Sequence, residues 1–201
     1  MATVQLRLGP ADHDRPLTLD DFESAEYVPG FKYEIIDGRL YVAPEANLTE
    51  HRLEKWLERK LLRYSEDHPA VINFVADKAR VFIPLQPGAT IPEPDLACYR
   101  GFPDQAGLGE VEWEDVSPVL VAEVLVAGKP EKDLGRNPVL YLDVPSIREY
   151  WVLDGRENPG EPSLIQHRRH GKRWVIREFP FGSTFTTKFL PGFALVINPR
   201  K

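Results

Sequence analysis

Eight consecutive residues, Val119-Leu-Val-Ala-Glu-Val-Leu-Val126, are apolar but for one glutamate. A run this apolar and β-branched reads as a central strand covered on both faces. The chain must therefore fold around a sheet. By strand alternation Glu123 shares a face with Val121 and Leu125. A carboxylate buried there costs several kcal/mol unless it is paired, protonated or bound to a metal. The residue alone leaves two readings open. One is a structural acid, held in a buried ion pair or on an edge strand with one wet face. The other is a site.

The surroundings of this strand set the architecture. A helical stretch over about 131–142, interrupted by Pro138, leads to a second apolar strand, Glu149-Tyr-Trp-Val-Leu153. Strand, helix and strand of this length form a βαβ crossover, so the two strands are expected to be parallel neighbours. Upstream, Thr18-Leu-Asp-Asp21 has the cap and acids of a helix start. Asp37-Gly38 between Phe31–Ile36 and Arg39–Val42 signals a hairpin. Leu53, Trp56, Leu57, Leu61 and Tyr64 recur at helical spacing, with Asn47 or Thr49 to cap the helix and Pro69 to end it. Further strands are expected at 71–75, 79–83, 95–99, 163–167, 173–179, 185–189 and 194–197, with a hairpin turn at His170-Gly-Lys172. A Pro/Gly-rich loop spans 84–94 and a glycine-rich, acidic one 101–117. The whole reads as one α/β or α+β domain over 17–201 around a mixed sheet, with residues 1–16 as a tail or arm.

Composition narrows the function. With 201 residues, 42% hydrophobic and 28% charged, the chain is neither a disordered tail nor a membrane span. No basic stretch followed by an apolar run opens it, so no signal peptide is expected. A net charge of −6 argues against a general nucleic-acid coat but leaves room for a local basic patch. The single cysteine, Cys98, excludes a disulfide framework and a Cys-rich zinc site, and fits a reducing cytoplasm.

Asp95, after Pro92-Glu-Pro94, opens a short strand. Alone it is an ordinary strand-start aspartate. Beside Glu123 on an adjacent strand it makes a pair able to share a hard divalent cation, which prefers carboxylate oxygens and water. Pro94-Asp95 followed by an apolar strand bearing Glu123 resembles the PD-(D/E)xK nuclease superfamily. More narrowly, the chain is similar to the large bacterial family named for putative restriction endonucleases, long a domain of unknown function. Tyr33-Glu-Ile-Ile-Asp-Gly-Arg-Leu-Tyr41 matches that family's opening hairpin, Pro94-Asp95-Leu its metal aspartate and Ala122-Glu-Val-Leu its acidic strand. Asp133, Tyr141 and Arg148-Glu-Tyr-Trp-Val-Leu-Asp154 match the helix and strand that follow. The ordered set, from about Leu17 to Pro199, is what carries the resemblance.

The resemblance implies a restriction-endonuclease-like core, a central mixed sheet flanked by helices. It implies Mg²⁺- or Mn²⁺-dependent hydrolysis of DNA phosphodiesters, with Asp95 and Glu123 as ligands. Glu34 matches a family glutamate; its other reading is a strand residue facing solvent. The superfamily's lysine position is Leu125 here, and the family's substitute on the next helix, four residues after Asp133, is Asn137. The family's small polar segment after the acidic strand is Val126-Ala-Gly128. Lys129 and Lys132 lie nearby, to orient a water and stabilise phosphoryl charge, although Lys132 also reads as a solvated charge at a helix start. Asn137 brings hydrogen bonds but no charge. These departures keep open a nuclease fold that binds nucleic acid or another partner without cutting, and a purely structural or dimerisation module. A homodimer is compatible with the apolar content.

Other signals are weaker. His167-Arg-Arg-His-Gly-Lys-Arg173 reads as a solvated hairpin tip that is also able to contact phosphates. Arg52, Lys55, Arg59, Lys60 and Arg63 interleave with Glu50, Glu54 and Glu58 as i,i+4 pairs. The five histidines show no metal-ligand spacing. Trp56, Trp113, Trp151 and Trp174 read as core rather than as base-stacking platforms.

Overall fold

The computed structural model describes residues 5–103, 111–126 and 130–201. The apolar run forms β7 (Leu120–Leu125), buried at every position. Elements preceding it, in chain order, are β1 (Arg7–Leu8), α1 (Leu19–Ser24), β2 (Glu26–Tyr27), β3 (Phe31–Ile36), β4 (Arg39–Pro44), α2 (Leu48–Asp67), β5 (Phe74–Ala76) and β6 (Leu96–Tyr99). A wide π-helical stretch, Glu131–Arg136, runs on from β7 into α3 (Asn137–Leu142). Then come β8 (Glu149–Asp154), β9 (Ser163–His170), β10 (Arg173–Phe179), β11 (Thr184–Thr186) and β12 (Ala194–Val196).

Six strands form one mixed sheet in the order β10-β9-β8-β7-β6-β5. Only the β7–β8 pair within it is parallel, as the crossover requires. One face packs on α2 through Leu53, Trp56, Leu57, Leu61 and Tyr64. The other face, carrying Val121, Leu125 and Val152, packs on Leu140 and Tyr141 of α3 and reaches Ile36 of β3. Glu123 opens onto this second face.

Local chemistry explains the element ends. Thr18 and Asn47 cap α1 and α2 through capping boxes with Asp21 and Glu50. Asp37 and Gly38 both have positive φ, 51° and 69°, the two-residue turn that matches strand twist. Gly88 closes against that turn: a Cβ there would lie 2.6 Å from the Asp37 carbonyl carbon. Pro138 has no N–H and its ring needs space toward the preceding turn. The wide repeat supplies it, with the Asn137 N–H bonding back to the Lys132 carbonyl.

Several expectations are corrected. Residues 79–83 do not join a sheet; Val81 and Ile83 donate to Pro92 and Thr90 in a short clasp. Prolines 84, 87, 92 and 94 offer no donors to extend the ladder. Val71 and Ile72 belong to a turn on the His68 carbonyl, so β5 begins at Phe74. β11 stops at Thr186, after which Thr187 Oγ1 accepts the Phe189 N–H. Residues 7–16, read as a tail, are anchored: β1 pairs in parallel with β2, and Leu8 is buried with Phe22, Tyr33, Ile35 and Leu40. The hairpin tip at Gly171 is exposed, but His167 is buried and Arg169 donates to the carbonyls of Tyr141 and Leu142 at the end of α3 and of Val144 and Ile147 after it. Trp56 and Trp151 are core; Trp113 and Trp174 pack at its margin. Residues 104–110 of the glycine-rich, acidic loop, Ala127-Gly128 and Lys129 lie outside the described residues.

Candidate active site

β6 and β7 are antiparallel with Leu96 opposite Ala122. Asp95 immediately precedes Leu96, and its carboxylate lies near enough to Glu123 for the two charges to act on each other. The Asp95 carboxylate accepts from the Val124 N–H (2.8 Å), so it bonds to the strand it faces. Pro94 contributes no N–H, which leaves the start of β6 open at this point.

β3 brings the next two groups. Tyr33 and Ile35 turn into the small cluster around Phe22. Lys32 and Glu34 therefore point the other way, toward the sheet. Lys32 Nζ is 2.8 Å from Asp95 Oδ1. Glu34, with a side chain 6% exposed, is held by Lys132 Nζ at 3.1 Å and Arg136 Nη2 at 2.8 Å. It also accepts the Glu93 N–H at 3.2 Å. The reading of Glu34 as a solvent-facing residue is thus corrected, and so is that of Lys132 as a solvated charge.

The π-helix supplies the third side. Its wide turn places Lys132, Asp133 and Arg136 beside the sheet, followed by Asn137 at the start of α3. Asn137 is fully buried. Its Nδ2 donates to Glu123 Oε1 (2.9 Å) and Asp133 Oδ1 (3.3 Å), and its Oδ1 accepts from Arg136 Nε. Tyr141 Oη also donates to Glu123 Oε1. Asn137 therefore fixes carboxylates rather than meeting a water or phosphate. Tyr150 Oη donates to the Asp133 carbonyl and holds the π-helix on the sheet.

The charges divide unevenly. Burial would raise the pKa of Glu34, but Lys132, Arg136 and Lys32 hold it at about 2. Asp95 is also lowered, because Lys32 and Lys132 outweigh its burial. Glu123, 1% exposed, is pushed well above the carboxylate range by burial, with Asp95 and Asp133 adding to the rise and Lys132 opposing it. Asp133 rises to about 6, first through burial and then through Asp95 and Glu34. Four acids (Glu34, Asp95, Glu123, Asp133) thus meet three cations (Lys32, Lys132, Arg136), and the excess negative charge rests on Glu123 and Asp133. A proton or a further cation would balance it.

That imbalance fits a divalent cation between Asp95 and Glu123. Each carboxylate oxygen has two lone pairs, so the hydrogen bonds present leave acceptor capacity. Among the described residues no three His, Cys, Asp or Glu side chains are arranged to hold a metal. An ion here would rest on two carboxylates and several waters, as Mg²⁺ often does. Lys32, Asp133 and Arg136 were not singled out in the sequence as site residues. Their signals were present: Lys32 is two before Glu34 on one strand face, and Asp133 and Arg136 flank Lys132 and Asn137.

No helix among the described residues is long and apolar enough to cross a membrane. No curated protein sequence matches the chain. In solved structures, a putative nuclease belonging to DUF820 from Anabaena variabilis superposes with a TM-score of 0.66 at 15% identity. The superposition covers 90% of this chain and 96% of that one, which establishes a nuclease-like fold. The profile of the Uma2 family, described as "Putative restriction endonuclease", matches residues 19–198. The chain belongs to the Uma2 family of restriction-endonuclease-like proteins, consistent with the PD-(D/E)xK superfamily.

Proposed function

We propose that this protein is a divalent-metal-dependent endonuclease that hydrolyses DNA phosphodiester bonds in the cytoplasm. The observation that carries the reading is the neighbouring pair of Asp95, just before β6, and Glu123 on β7, ringed by Lys32, Lys132 and Arg136. Asp95 and Glu123 would hold Mg²⁺ or Mn²⁺. The ion would supply an activated water and neutralise charge on a phosphoryl oxygen.

The chain's own groups do the rest. Asn137 and Tyr141 fix the Glu123 carboxylate through one oxygen. Val124 and Lys32 fix that of Asp95. Lys132, anchored on Glu34 yet 29% exposed in its side chain, is the ammonium placed to stabilise charge developing on the phosphate. It takes the role of the lysine missing at Leu125 and Asn137. Glu34 then acts through Lys132 and Arg136 as a positioning residue.

A second reading, a nuclease fold that binds nucleic acid without cutting it, draws on one observation. The group at the family's lysine position, Asn137, is neutral and wholly engaged inside the protein. One experiment separates the two. Mg²⁺ or Mn²⁺ is titrated into wild type, Glu123→Ala and Lys132→Ala, and each is incubated with supercoiled and single-stranded DNA. Metal-dependent nicking lost in both variants is expected. Metal binding without nicking would favour the second reading, and no metal binding by the wild type would overturn the first.

A further inference from the structure

The sheet has a second cleft, at the end where β7 and β8 begin. Val119 lines it, four residues before Glu123, which places it about 13 Å along the strand at roughly 3.3 Å per residue. Its volume is about 700 Å³, within the usual range for a ligand site. Arg100, Arg148, Arg168, Arg169 and Lys188 line it, with Glu149 the one carboxylate.

Three of these charged groups are committed to the fold, and Arg100 is one, donating its Nε to the Val71 carbonyl at 3.0 Å. Arg169 spends its guanidinium on four backbone carbonyls and stacks on Trp174 at 4.9 Å. Glu149 is fully buried and accepts from Trp151 Nε1 and Thr187 Oγ1. Arg168 stands opposite Glu149 in the β8–β9 register. Even so, Arg148, Arg168 and Lys188 form no ion pair among the described residues. A neighbouring cleft of about 470 Å³ shares Arg168 and Lys188 and adds Arg177, so the cationic lining continues along the surface. In a chain of net charge −6, such a concentration of unpaired like charge works against folding through self-repulsion. The fold uses Arg100 and Arg169; Arg148, Arg168 and Lys188 are the three whose charges it leaves without an ion pair among the described residues.

We propose that this cleft is a second phosphate-binding site, separate from the carboxylate cluster, in which Arg148, Arg168 and Lys188 hold a phosphate-bearing ligand. Guanidinium groups match phosphate oxygens with paired, charge-assisted hydrogen bonds. Lys188, exposed and lining both clefts, adds a point charge. The ligand is either a free phosphorylated compound, occupying the larger cleft, or the backbone of a nucleic-acid strand running through both. The assignment does not depend on the hydrolytic reading of Asp95 and Glu123.

The test is binding in the presence of EDTA, so that no hydrolysis enters. The probes are inorganic pyrophosphate, by calorimetry, and a labelled single-stranded oligonucleotide, by anisotropy. The proteins are wild type, the Arg148→Ala/Arg168→Ala double variant, Lys188→Glu, and Arg52→Ala/Arg63→Ala as a charge-matched control on α2. The double variant should weaken binding about tenfold or more. For the oligonucleotide, its slope of log affinity against log salt should fall by about 1.4, or two phosphates' worth. Lys188 is exposed, so Lys188→Glu repeats the weakening without threatening the fold. The control should change little. Pyrophosphate binding supports the site with a small ligand; oligonucleotide binding that pyrophosphate does not displace supports it with a strand. Failure of the wild type to bind either probe would overturn the proposal, as would equal losses in the double variant and the control. Neither result touches the nicking assay, which reports on Asp95 and Glu123.

Discussion

Glu34→Gln tests whether the cluster's ion pairs hold β3 to the π-helix. Glu34 is buried, and its carboxyl is lowered from 4.5 to about 2 by Lys132, Arg136 and Lys32 against the cost of burial. At about 1.4 kcal/mol per tenfold change in acidity, ionised Glu34 contributes about 3 kcal/mol to folding at neutral pH. The same size follows from the cost of breaking a buried ion pair, roughly 3–5 kcal/mol, which leaves Lys132 and Arg136 beside a neutral amide. Because the folded-state pKa lies below the unfolded one, the contribution is complete above about pH 5 and is lost as pH falls toward 2. Glutamine mimics the protonated acid. The variant should therefore be less stable than wild type by about 3 kcal/mol at pH 7, or about 6–12 °C in melting temperature for a chain of this size. The gap should shrink to about half or less by pH 3. Urea unfolding at both pH values measures it. A variant as stable as wild type at pH 7, or a deficit unchanged at pH 3, would refute the electrostatic account of Glu34.

Three further outcomes are expected. Glu123→Gln should be neutral or stabilising by about 1 kcal/mol at pH 7, since burial holds Glu123 above its unfolded pKa and its ionised form costs stability as pH rises; the same variant should lose nicking, and urea midpoints with a plasmid assay check both. Asn137→Ala removes the one side chain bonded to Glu123, Asp133 and Arg136 together, and should cost about 2–3 kcal/mol by chemical unfolding. Arg169→Ala leaves four carbonyls at and after the end of α3 without their donor and Trp174 without its cation, and a loss of about 3 kcal/mol should appear as a melting temperature lower by about 6–12 °C.

Much of the scaffold was legible because its signals are local. The β7 run, the Asp37-Gly38 turn, the caps at Thr18 and Asn47 and the stripe on α2 each depend on neighbours within a few residues. The parallel β7–β8 pair followed from the length of the crossover between them. Glu123 was legible because a lone acid in an apolar strand must have a reason, and Asp95 only through the family resemblance that sets it beside Glu123. The errors fell where long-range contacts override local preference. Residues 79–83 look like a strand, yet they meet a proline-rich loop, bonding to the carbonyls of Pro92 and Thr90, that offers few donors in return. Leu8 looks like part of a tail until Phe22, Tyr33 and Leu40 close over it.

The sequence by itself determined that a sheet would form, that Glu123 would lie in it, and which acid would open the neighbouring strand. These depend on period, apolar content and order along the chain. Only the tertiary structure decided what each charge meets. Lys32 reaches an aspartate 63 positions away, and Arg136 a glutamate 102 positions away. No spacing rule spans such separations. Electrostatic energy depends on distance and burial in space, and both are set only when β3, the sheet and the π-helix come together.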